Sequence, residues 1–178
     1  MENEIYEYID ELSDAEKISL LLIGETNKIK STRLQKLALI VHSLKKGKIE
    51  IEHGAYLFGG FSDDVEEGVE SLRSEGYLEY KNNDGYSLTK DGKKIFEALE
   101  KKDSEIYTIT QQVVKMFNNL SDRQVTAITY KLFPELTTNS IIKEEMNRVG
   151  DNIKIEQFNL KNLKKWIQWQ IVKGINIM

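Results

Sequence analysis

The sequence predicts a mainly helical protein of the α+β class. Three observations carry that expectation. Apolar residues recur at helical spacing through most of the chain. Helix-capping residues, Ser13, Ser62, Thr89 and Ser121, stand directly before those stretches. One short segment, Tyr77–Leu88, instead alternates polar and apolar residues on both sides of Asn82-Asn83-Asp84-Gly85, the pattern of a β-hairpin. The 178 residues are 40% hydrophobic with one proline and eleven glycines, which suits a packed core and not a disordered linker.

Ile5, Ile9 and Leu12, with acids between them, predict a short leading helix. Ser13-Asp14-Ala15-Glu16 is a capping box, in which Ser13 and Glu16 satisfy each other's backbone N–H groups. Ile18, Leu21 and Leu22 form the stripe that follows, and Gly24 is expected to end that helix. Ser31 or Thr32 caps the next one. There Leu34, Leu37, Ala38, Val41 and Leu44, widened by Leu39 and Ile40, mark a central helix closed by Gly47. Lys48–Glu52 alternates and predicts a short strand, and Gly59-Gly60-Phe61-Ser62 predicts a turn ending in a cap. Val65, Val69 and Leu72 give the buried face of a further helix stopped by Gly76. After the hairpin, Thr89 caps a helix with Ile95, Phe96 and Leu99 facing inward.

Helix, helix, strand, helix, strand, turn, strand is the order of a winged helix, with its wing near Tyr77–Leu88. Lys101-Lys102-Asp103 marks the boundary between this domain, residues 1–101, and a helical domain, residues 102–178. In the second part, Ile106, Ile109, Val113 and Phe117 form one stripe. Ser121–Gln124 is a second capping box, and Val125, Ile128 and Leu132 follow until Pro134 ends that helix. Ile141, Ile142, Met146 and Val149 predict another helix stopped by Gly150, and Asn159 caps a last one carrying Leu160, Leu163, Ile167 and Ile171.

The run Leu34-Gln35-Lys36-Leu37, the aromatic-Gly-x-aromatic-Ser run Phe58–Ser62 and the sequence Glu75-Gly76-Tyr77-Leu78 carry a resemblance. The stretch from Thr32 to Leu78 resembles the Panacea-type, phage-associated antitoxin-like group and related uncharacterised winged-helix proteins. It differs in having Gly59-Gly60 where that group usually has Gly-Pro, and in lacking the usual aromatics on the Leu34–Leu37 helix. The resemblance implies a winged helix in a regulatory or antitoxin-like setting and supplies no catalytic residues.

With no cysteine, the chain has no disulfide, thiolate zinc site or cysteine nucleophile. His42 and His53 are the only histidines and make a poor metal site by spacing. No nucleotide-binding or hydrolase motif is present, and the expectation is a non-enzyme without cofactor, metal or small-molecule substrate. The acidic start, Met1-Glu2-Asn3-Glu4, and the absence of a long apolar run lead to the expectation of a cytoplasmic protein that does not enter a membrane.

A winged helix ordinarily inserts its third helix into the major groove. Here that helix, Ser62–Glu75, carries Asp63, Asp64, Glu66, Glu67, Glu70 and Glu75 against Arg73 alone, a net charge of −5. Such a face cannot neutralise phosphate. The first expectation is therefore a regulator acting through protein contacts, with a partner or with itself as a dimer. Its candidate interface is Glu66, Glu67, Glu70, Arg73 and Trp169, because an exposed tryptophan often anchors an interface. The alternative is a DNA-binding transcriptional regulator. Lys28, Lys30, Arg33, Lys36, Lys45, Lys46 and Lys48 lie between Thr26 and Ile49 with no acid among them. Lys28, Lys30, Arg33 and Lys36, with Lys81 beside the wing turn, are the candidate phosphate contacts.

Overall fold

The computed structural model describes residues 2–45, 49–153 and 165. They form eight α-helices and two small antiparallel hairpins. The helices are α1 (Glu2–Glu11), α2 (Asp14–Thr26), α3 (Ser31–Leu44), α4 (Asp63–Ser74), α5 (Lys90–Lys102), α6 (Ser104–Phe117), α7 (Asp122–Leu132) and α8 (Lys143–Asn152). Hairpin strands β1 (Gly54–Tyr56) and β2 (Gly59–Phe61) lie between α3 and α4. Strands β3 (Leu78–Lys81) and β4 (Gly85–Leu88) lie between α4 and α5.

The centre is α2. Ile18, Leu20, Leu21, Leu22 and Ile23 are all fully buried, so this helix is covered on every side. It packs against α3, α4, α5 and α6. Its capping box forms as the sequence predicts, with the Glu16 carboxylate accepting from the Ser13 N–H at 2.8 Å. The helix does not stop at Gly24 but runs to Thr26, and Asn27, at φ 61°, makes the left-handed exit. Continuation past the glycine is favoured by packing, since Phe96 lies directly against Gly24.

The start of α3 also differs from expectation. Lys30 occupies the N-cap position, and neither Ser31 nor Thr32 caps the helix through its side chain. The Lys48–Glu52 strand is not formed at Glu50–Glu52, which are irregular. The strand-like partner of the second hairpin is instead Ile29. Its N–H donates to the Tyr86 carbonyl at 3.0 Å and its carbonyl accepts from the Tyr86 N–H at 2.8 Å. The Gly59–Ser62 turn is also corrected. Gly59–Phe61 is a strand, paired with Gly54 opposite Phe61 and Tyr56 opposite Gly59. Ser62 caps α4 as predicted, accepting from the Val65 N–H. The β3–β4 hairpin has Leu78 opposite Leu88 and Lys81 opposite Gly85, so Asn82–Asp84 form the turn.

One hydrophobic cluster runs through both halves of the chain, from Ile9 on α1 to Leu132 on α7. The Lys101–Asp103 boundary is the corner between α5 and α6, and α6 and α7 pack on α3 beyond it. Pro134 follows the end of α7 and opens a 3-10 turn, Pro134–Thr137. Ile141 lies outside α8 and is exposed, while α8 continues through Gly150. Among the described residues no helix is long and apolar enough to cross a membrane.

Candidate functional site

The basic stretch does not form one surface. Lys36 is the clearest correction: it is only 2% exposed, and its ammonium donates to the carbonyls of Phe58 and Gly60, both at 2.7 Å. It anchors the β1–β2 hairpin to α3 and cannot reach a phosphate there. Burial lowers its pKa from 10.5 to about 8. Arg33 is turned inward as well. Its guanidinium donates to the carbonyls of Phe117 and Leu120 at 2.7 and 2.8 Å and pairs with Asp122 at 3.1 Å, locking α3 to the α6–α7 corner. Lys45 is buried and pairs with Glu105.

Three of the named cations do converge. The Ile29–Tyr86 bridge sets Lys28 and Lys30 beside β4, and Lys81 ends β3. Lys28 pairs with Asp84 in the hairpin turn at 2.7 Å, and Lys81 reaches Glu79 at 3.3 Å. Lys28 holds the Asp84 carboxyl below its usual range, and Lys81 does the same for Glu79. Lys30 is exposed.

Helix α4 buries Val65, Gly68, Val69 and Leu72 and turns its acids to solvent. Glu66 and Glu67 are exposed. Glu70 is engaged by Arg73, whose guanidinium donates to both carboxylate oxygens at 2.7 and 2.8 Å and lies 5.8 Å from the centre of the Tyr80 ring. Thus Arg73 ties α4 to β3. Trp169, with Lys46 and Lys48 of the basic stretch and the Asn159-capped helix, lies outside the described residues.

The most exposed apolar surface was not singled out by sequence. Leu57 and Phe58, at the tip of the β1–β2 hairpin, are each 55% exposed, and Tyr56 beside them is also exposed. The signal was three consecutive large apolar residues, Tyr56-Leu57-Phe58, between Gly54 and Gly59. Ile141, 69% exposed, donates its N–H to the Leu57 carbonyl at 3.0 Å, which extends the patch onto the segment before α8. The Tyr56 hydroxyl donates to Asp63 at 2.6 Å, so the apolar tip adjoins the acidic start of α4.

The two histidines, eleven residues apart in sequence, meet in space. Their Nδ1 atoms are 3.2 Å apart and their rings are nearly parallel, at 14°. Burial first, and the neighbouring His42 second, lower the pKa of His53 to about 4. Among the described residues no cluster of three or more His, Cys, Asp or Glu side chains could hold a metal ion. Comparison with family models, curated proteins and solved structures finds no match to this chain.

Proposed function

We propose that this chain is a non-catalytic winged-helix regulator that acts through protein contacts. For the winged helix, the support is the succession α2, Ile29, α3, α4, β3 and β4, with the β1–β2 hairpin inserted between α3 and α4; Ile29, which precedes α3 and is not the strand expected after it, pairs with β4 as the first strand of such a domain pairs with the wing. The observation that carries the function is the distribution of charge. The helix before the wing presents a row of acids of which, among the described residues, only Glu70 is paired with a basic side chain, while Arg33, Lys36 and Lys45 are engaged inside the fold. Neutralising phosphate needs exposed cations, and this face has the opposite sign. The regulatory setting implied by the resemblance at Leu34–Leu37 and Phe58–Ser62 agrees with this reading, and a cytoplasmic location is part of the same proposal.

A second reading has one specific observation in its favour. Lys28, Lys30 and Lys81 are brought to the wing, where they could contact a DNA backbone. Fluorescence anisotropy with random duplex DNA over a salt series separates the two. The protein-contact reading expects no binding even at low salt. Binding with a steep salt slope that disappears in Lys28→Glu/Lys30→Glu/Lys81→Glu would overturn it in favour of DNA. Light scattering tests self-association, for which the dimer is the expected form.

A further inference from the structure

Two cavities meet at one aromatic wall. The first, of about 250 Å³, lies between the start of α3 and the β1–β2 hairpin, with Leu57 and Phe58 among its walls. The second, of about 220 Å³, is lined by Glu52, Asp63 and Asp64. Tyr56 and Phe61 line both, with ring centroids 5.0 Å apart. One compartment is therefore apolar and its neighbour acidic.

We propose that this double cavity docks a segment of a partner protein in which a lysine or arginine stands beside a large apolar residue. The inference rests on the protein-contact reading and names the surface and the partner's chemistry. Charge complementarity selects the occupant. The Asp63 and Asp64 carboxylates are held by the Tyr56 hydroxyl at 2.6 Å and the Glu52 N–H at 2.7 Å. Neither is paired with a basic side chain among the described residues. Glu66 and Glu67 extend the negative face along α4.

A cation in the acidic compartment would meet those carboxylates and the Tyr56 ring, whose face attracts positive charge. The adjacent apolar side chain would fill the other compartment and cover Leu57 and Phe58, which are otherwise left in water. A second copy of this chain, whose exposed Tyr80-Lys81 has the same chemistry, is the competing occupant that the oligomeric state below tests.

The test uses the whole chain, immobilised and panned against a random-peptide display library. The expected consensus places Lys or Arg next to Leu, Phe, Tyr or Trp. By fluorescence polarisation, the selected peptide should bind at least about tenfold more weakly to Leu57→Ser/Phe58→Ser and to Asp63→Asn/Asp64→Asn. Circular dichroism checks that each variant is folded. If either is not, Glu66→Gln/Glu67→Gln, on the solvent face of α4, carries the charge test with a smaller expected loss. An acidic consensus, no enrichment, or undiminished binding to folded variants overturns the proposal. So does a dimer that the Leu57→Ser/Phe58→Ser variant converts to a monomer, since the occupant is then a second copy. A protein captured equally by wild type and the tip variant would remove this surface and leave the protein-contact reading standing. DNA binding by the wing lysines would remove that reading itself.

Discussion

Replacing Lys36 by methionine tests the assignment of this lysine to the interior. Methionine keeps the length of the stem and removes the ammonium. Two effects oppose each other at neutral pH. The Phe58 and Gly60 carbonyls lose their donor, at about 1–3 kcal/mol each. The cost of burying a charge disappears, and with the pKa lowered from 10.5 to about 8 that cost is about 3 kcal/mol. The near balance means that the variant should fold. The decisive reading is its pH dependence. From about pH 8 to about pH 10 the unfolded lysine keeps a proton that the folded one has lost. Stability therefore rises with pH, by about 1.4 kcal/mol per unit for full release. The folded amine is already half deprotonated at about pH 8 and the unfolded one begins to lose its proton near pH 10, so the gain expected over this window is about 2 kcal/mol. Above about pH 10 tyrosines such as Tyr8, held protonated by burial and Glu75, act in the opposite direction. Urea unfolding at several pH values, wild type beside Lys36→Met, isolates the lysine. Stability curves that stay parallel between the two proteins would show that Lys36 is not held desolvated, and would restore it as a surface cation.

Arg33→Ala should cost about 2–4 kcal/mol, because it removes the donor to two carbonyls at the α6–α7 corner while the half-exposed Asp122 turns to water; thermal unfolding measures this, and Arg33→Lys should recover only part of the loss. Acid should weaken the fold through His53. Its pKa is lowered to about 4 by burial and by His42, with Lys36 adding to the effect and Asp64 opposing it. The unfolded chain therefore takes up a proton first, and stability falls as pH drops from about 6.5 towards about 4, by up to about 3 kcal/mol. His53→Gln should flatten that part of the urea-unfolding profile relative to wild type. Gly85 has φ 86°, and a Cβ there would overlap the Ile29 carbonyl. Gly85→Ala should therefore break the Ile29–Tyr86 bridge and destabilise by about 2 kcal/mol or more, with hydrogen exchange at the Tyr86 amide accelerated beyond its neighbours.

The local grammar of the chain was legible in its sequence. Ser13 and Ser121 form capping boxes, Ser62 and Thr89 cap their helices, and Asn82–Asp84, followed by Gly85, turns the β3–β4 hairpin. Each is a bond between residues a few positions apart, so the sequence contains all its parts. Helices α2 and α8 run through Gly24 and Gly150 because Phe96 and Lys131 occupy the space a Cβ would fill, so glycine there serves close approach and does not mark a stop. The pairing of Ile29 with β4 has no sequence signal, because Ile29 is a single residue without a periodic pattern around it.

The acidic face of α4 was also fixed by sequence, since helical spacing alone separates Val65, Val69 and Leu72 from the acids between them. The basic stretch was different. Its composition was plain, but the direction of each side chain was not. Whether Arg33 and Lys36 met water or carbonyls depended on residues 22 to 89 positions away. The same holds for the meeting of His42 with His53 and for the exposure of Leu57 and Phe58. Charge is a property that the sequence carries with it, whereas desolvation is decided only when distant segments close over a side chain.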